Sequence, residues 1–202
     1  GEHMAKVTGP LFSVDASGKL ADSIVFMKWR GINTVRQYTK PSNPNTANQQ
    51  AVRTAFQETV SDYQSMSGDD KAAWALRAQG QPKSGFNLLM GLSIKAKNQV
   101  DDFNLMESVS ADPSGGTDAT EATITVTPKY GGTATVKYGT DPGTYFNEET
   151  LTLTADTAST VTLTGLTPGT NYFYRIVQDE ETVDTDTIRG QSGDYAFTAQ
   201  SS

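Results

Sequence analysis

Apolar positions along this chain change their spacing twice. Residues 23–29 (SIVFMKW) and 32–38 (INTVRQY) flank Arg30-Gly31, and they predict a β-hairpin whose glycine supplies positive φ. Ile24 and Phe26 alternate with Val25, Met27 and Trp29, so both faces of this ribbon carry apolar groups. Two strands alone are marginally stable, so the ribbon should lie on the following helices or on a partner chain.

The next stretch, KPSNPNTANQQ (40–50), is a corner. Pro41 and Pro44 disfavour helix at the residues before them, and Asn45 or Thr46 can serve as an N-cap. From Ala47 the spacing becomes helical, with Val52, Ala55, Phe56, Val60 and Tyr63 as the expected core face. Ser67 followed by Asp69 and Asp70 starts a second helix, which Gly80 ends. A third starts near Ser84, with Phe86, Leu88, Leu89, Leu92 and Ile94 as core candidates. Trp74 reads as core.

Beyond residues 99–103 the period returns to two. Segments 104–111, 121–128, 133–140, 149–156, 159–166, 171–178 and 194–200 are Thr-, Val- and Tyr-rich runs separated by Gly, Pro and Asp turns. Seven such runs predict a β-sandwich. The acid-rich stretch 178–194 reads as a long connection between the last two strands, a candidate for Ca²⁺ or a partner.

Charge sharpens this division. Residues 1–100 hold 12 Lys/Arg against 7 Asp/Glu, and residues 101–202 hold 4 against 16. A step that large suggests two domains with different surroundings. The chain has no cysteine, and its single histidine, His3, precedes Met4 in what reads as a cloning remnant. Disulfides, thiolates and the common nucleophile–base pairs are thereby removed. Glu148-Glu149 and Asp179-Glu180-Glu181 remain as carboxylates for sugar hydrolysis, although solvated loops of an acidic domain are the better explanation and no enzyme is expected. No cofactor or metal site is expected. The segment after Met4 lacks the apolar core of a signal peptide, so a soluble product made in the host cytoplasm is expected, without a membrane span.

Two resemblances add to this. LTGLTPGTNYFYRI carries Leu166, Pro168, Gly169, Thr170 and Tyr172 in the Leu-x-Pro-Gly-Thr-x-Tyr pattern of fibronectin type III domains. That resemblance, over 104–200, implies a sandwich whose tyrosine closes a corner between strands. It also implies that Tyr138 points either inward or across the sheet. The usual buried tryptophan is missing, so Leu, Val, Tyr and Phe must fill the core. GKLADSIVFMKWRGINTVRQ and KPSNPNTANQQAVRTAF resemble an uncharacterised group of phage- and prophage-associated proteins over about 11–98, which implies no activity.

The expected architecture is an α+β two-domain chain. A small β-hairpin plus three-helix N-terminal domain (5–98) is followed by a linker (99–103) and an all-β fibronectin type III sandwich (104–200). The expected role is a non-enzymatic virion protein, anchored by its first domain and displaying the second as a decoration or adhesion module. Lys28, Trp29, Arg30, Arg36 and Tyr38 are the candidate partner-binding residues, because basic and aromatic groups interleave there. Expected partners are other particle subunits, a second copy or a host-surface glycan. The alternatives are a monomeric carbohydrate- or cell-surface-binding adhesin and a DNA-associated protein using the basic ribbon.

Overall fold

The computed structural model describes residues 4–6, 18–20, 23–40, 42–99, 102–116, 118–183 and 186–201. It divides into two compact units, Gly1–Asn45 and Thr46–Ser202.

In the first unit, β1 (Met4–Lys6), β2 (Gly18–Leu20), β3 (Ile24–Trp29) and β4 (Ile32–Gln37) form one sheet in the order β1-β4-β3-β2. The expected hairpin is its centre, in register from Ile24 opposite Gln37 to Trp29 opposite Ile32. Arg30 (φ 49°) and Gly31 (φ 80°) both take left-handed backbone, so the two-residue turn follows the right-handed twist of its strands. The two outer strands extend the marginal two-stranded ribbon.

The second unit starts with α1 (Ala47–Ser65), α2 (Gly68–Arg77) and α3 (Gly85–Gln99). Thr46 caps α1: its hydroxyl accepts from the Gln49 amide at 3.4 Å, and the Gln49 side chain accepts from the Thr46 amide at 3.3 Å. Ser67 caps α2 through the Asp70 amide at 3.0 Å. The core face expected for α1 is only partly right. Ala55 and Thr59 are buried, whereas Val52 and Phe56 are 46% and 49% exposed. The contact with α3 is made instead by small groups, with the Thr59 and Ser93 hydroxyls 2.8 Å apart, and residues 47–54 are exposed on every face.

Eight strands follow: β5 (Asp102–Asp112), β6 (Ala122–Pro128), β7 (Gly132–Gly139), β8 (Asn147–Leu153), β9 (Ser159–Leu163), β10 (Asn171–Val183), β11 (Asp186–Gln191) and β12 (Tyr195–Thr198). They run β8-β7-β10-β11-β5-β6-β9, with β12 also on β10. β5 serves both layers of the sandwich. Its first residues pair parallel with β11 and its later ones antiparallel with β6. Pairing passes from β11 to β6 between Leu105 and Met106, and the β6 pairing is irregular between Glu107 and Ser110, where Ser108 has φ 51°. Ile124, Val126, Val136, Leu151, Leu163 and Ile176 fill the middle.

Two sequence expectations change here. The stretch 178–194 is mainly hairpin rather than loop, since β10 continues to Val183 and β11 returns from Asp186. The boundary also moves. Met66, Trp74, Leu89 and Ala96 from the helices share one apolar cluster with Phe103 and Leu105 of β5, so helices and sandwich have a common core. Polar contacts reinforce this. The Lys97 ammonium, 7% exposed, lies 2.9 Å from Glu58 and 3.7 Å from Asp102, and Lys129 lies 2.9 Å from Asp102. The fold class stands as α+β: a small sheet, three helices and a β-sandwich.

Candidate functional site

Unit one carries all five candidate partner-binding residues but divides them. Paired residues point to the same face of a sheet, and neighbours along a strand to opposite faces. Trp29 and Ile32, opposite each other next to the turn, therefore share a face, and both remain exposed at 55% and 43%. The Arg30 guanidinium lies 5.8 Å from the Trp29 ring centre. Lys28 is exposed on the other face. Arg36 lies opposite Val25, on the face of Trp29 but about 14 Å along the strand at 3.4 Å per residue. Tyr38 is half-buried at the far end, with the Lys19 ammonium 4.5 Å from its ring centre. The structure thus groups Lys28, Trp29, Arg30 and Ile32 at the tip and leaves Arg36 and Tyr38 at the base. Ile32 was missed because it reads as an ordinary strand residue.

In unit two, the fibronectin motif is realised as a tyrosine corner. Tyr172 is buried and stacks on Phe197 at 5.9 Å, while its hydroxyl accepts from the Thr167 amide at 2.9 Å. Leu166 is buried beneath it, Pro168 is half-buried, and Gly169 takes φ 70°. Tyr138 points inward, its hydroxyl donating to the Thr164 carbonyl at 3.2 Å.

Sequence reading also missed the seam between α2 and the last two strands. Asp70, 2% exposed, accepts from the Tyr195 hydroxyl at 2.7 Å, the Ser67 hydroxyl at 2.8 Å and the Ser108 amide at 3.2 Å. Burial, and then the bond to Asp70, push the Tyr195 phenol well above the usual tyrosine range. Arg77 donates to the Ser192 carbonyl at 2.6 Å and to the Gln191 side chain. Burial, then neighbouring Arg175, pull its guanidinium down to about 10. Gly193 lets the connection between β11 and β12 touch α2: a Cβ there would stand 2.6 Å from the Ala73 backbone carbon.

Beside this seam lies an aromatic patch. Arg175 makes two bonds to Asp194, at 2.6 and 2.8 Å, and lies 5.3 Å from the Tyr145 ring centre. Burial opposes the Arg175 charge, but Asp194 outweighs it and raises the guanidinium above its ordinary value. Phe146 follows Tyr145 in the chain and is 86% exposed. The adjacent aromatics Tyr145-Phe146 were the available signal, because neighbours entering a strand cannot both face inward.

Of the acids held as hydrolytic candidates, Glu180 and Glu181 have side-chain partners. Glu148 and Glu149 are adjacent in β8 and so point to opposite faces, with Glu148 opposite Lys137. Glu180 pairs with Arg189 at 2.7 Å, and Glu181 accepts from the Thr133 amide at 2.8 Å. Among the described residues, no group of three His, Cys, Asp or Glu side chains could hold a metal ion, and no helix is long and apolar enough to cross a membrane.

Residues 109–199 match the family model described as "Purple acid Phosphatase, N-terminal domain". That is less than half of the chain and lies wholly within the sandwich, so the phage-associated resemblance of 11–98 gains nothing from it. No curated protein matches. Among solved structures, the chain is similar to the FN5 domain of Drosophila Lar, at 17% identity and a TM-score of 0.33 over 48% of this chain and 97% of that one. It is also similar to a computationally redesigned β-sandwich protein, at 25% identity and a TM-score of 0.30 over 48% and 95%.

Proposed function

We propose that this protein is a non-enzymatic structural component of a phage or prophage particle, anchored through its N-terminal ribbon sheet and displaying the helix-braced sandwich. The observation that carries this is the exposed Trp29–Ile32 pair at the tip of a small sheet, with the Arg30 guanidinium 5.8 Å from the Trp29 ring centre. A tryptophan beside an arginine is the composition of an interface hot spot, and leaving it in water is unfavourable for a free monomer. The helices belong with the displayed part, because they share its core. Anchoring therefore falls to residues 1–45 alone.

The test is a photo-crosslinking amino acid placed at position 29, and separately at position 160 on the sandwich, in cells making the particle. Crosslinks from position 29 to a particle subunit, absent from position 160, are expected. Crosslinking from neither position, or only from position 160, would refute anchoring by the ribbon.

Phe146 favours a second reading, a monomeric surface-binding adhesin, because an aromatic so exposed, next in sequence to Tyr145, offers a stacking platform. This reading expects glycan-array retention by the full chain that is lost in Phe146→Ala and kept in Trp29→Ala.

A further inference from the structure

The small sheet has two faces, and the strand register divides its side chains between them. Residues opposite each other on paired strands share a face, and every second residue along a strand returns to it. One face carries Val25, Met27 and Trp29 of β3 with Ile32, Thr34 and Arg36 of β4. Lys19 of β2 lies opposite Val25, so Lys19, Val25 and Arg36 form one row across three strands. The Tyr38 amide donates to the Ser23 carbonyl at 2.8 Å, which continues the register and brings Tyr38 to this face. The Lys19 ammonium against the Tyr38 ring agrees with that placement. Within β3 and β4 the other face holds Ile24, Phe26, Asn33, Val35 and Gln37, with Lys28 as its one cation.

The first face therefore has an aromatic ring with a cation against it at each end. Arg30 meets Trp29 by the turn, and Lys19 meets Tyr38 at the base. Ile32, opposite Trp29, precedes Tyr38 by six residues, so the rings stand about 20 Å apart at 3.4 Å per residue. Half-buried Val25, Met27, Thr34 and Arg36 line the space between. The described residues of this unit hold six Lys/Arg and no Asp or Glu; Glu2, Asp15 and Asp22 lie outside them. With those three acids counted, residues 1–45 still carry a net charge of +3.

A single strand of nucleic acid has the complementary pattern, flat rings repeating along a chain of negative phosphates. Stacking on an aromatic side chain accepts any base, and Lys and Arg beside the rings attract the phosphates. We infer that single-stranded nucleic acid lies along this face, with bases on Trp29 and Tyr38 and phosphates at Arg30, Lys19 and Arg36. The inference goes beyond anchoring: it shares Trp29 with that reading and adds Lys19, Arg36 and Tyr38, which lie away from the tip. A duplex, whose bases are already stacked on one another, gives the rings nothing to hold.

The test is fluorescence anisotropy of a labelled oligothymidylate of about 12 nucleotides with the full chain, read alongside tryptophan emission. Expected are saturable binding, quenching of Trp29 by a stacked base, and weaker binding of a duplex of equal length. Three phosphate contacts on a single strand should lower affinity about 20-fold between about 50 and about 200 mM salt. Trp29→Ala and Tyr38→Ala should each weaken binding by about tenfold, and Trp29→Ala should abolish the quenching. Lys28→Gln, on the other face, should leave binding nearly unchanged. Circular dichroism checks each fold, and the exposed Trp29 position decides the matter if Tyr38→Ala fails to fold. Absence of binding at about 0.1 mM protein overturns the inference. So does binding that takes duplex equally well or survives Trp29→Ala, since that is charge attraction without stacking. If binding is absent while position-29 crosslinks to a particle subunit persist, this inference fails and anchoring stands; binding without crosslinks means the reverse.

Discussion

Tyr195→Phe tests whether helices and sandwich unfold together. The substitution keeps the ring, which stacks on Tyr174 at 5.5 Å, and deletes only the hydroxyl that donates to Asp70. Leaving a buried acceptor without its donor costs about 1–3 kcal/mol, so a loss of about 2 kcal/mol is expected. Asp70→Ala removes the acceptor for Tyr195, Ser67 and the Ser108 amide together and should cost about 2–4 kcal/mol. The double variant should fall short of the sum by about 1–2 kcal/mol, because the two groups share one bond. Urea unfolding can be followed by helical circular dichroism, by Trp74 fluorescence and by the near-ultraviolet tyrosine signal of the sandwich. With a slope of about 2 kcal/mol per molar urea, Tyr195→Phe should lower the midpoint by about 1 M in all three signals. If the helical signal moved while the tyrosine signal kept its wild-type midpoint, a division near residues 99–103 would be restored and the shared core refuted.

Gly193→Ala should destabilise by about 2 kcal/mol or more, because the new Cβ meets backbone of α2 at 2.6 Å; thermal melting checks it, and an unchanged melting temperature contradicts the close approach. Val52→Ser with Phe56→Ser should cost less than about 1 kcal/mol in urea unfolding, since both side chains already face water; a loss of 3 kcal/mol or more would return them to the core. Alkaline unfolding should be cooperative. Burial raises the Tyr174 and Tyr195 phenols above their ordinary value of 10.0, so their contribution is intact below that pH and is lost as pH rises towards their folded values. Phenolate absorbance that titrated at pH 10 without any loss of structure would contradict their burial.

The local pattern of this chain is written in its sequence. The Arg30-Gly31 turn, the Thr46 and Ser67 caps, three helices, the period-two strands and the Tyr172 corner all depend on residues a few positions apart, whose spacing is visible in one dimension. Period two also required one of Tyr145 and Phe146 to face out. Other features depended on which surfaces meet. α1 could have used Val52 and Phe56, but its contact with α3 runs through Thr59 and Ser93. The acidic stretch 178–194 could have been a loop, but pairing with β10 and β5 satisfies its backbone as β11. The charge step near residue 100 suggested a domain border there. Trp74, Asp70 and Arg77 find their partners in strands as many as 125 residues later, and those contacts place the helices with the sandwich. Short-range hydrogen bonding and periodicity are encoded locally, whereas the choice among several apolar faces is made by whichever long-range packing excludes the most water, and only the folded chain shows it.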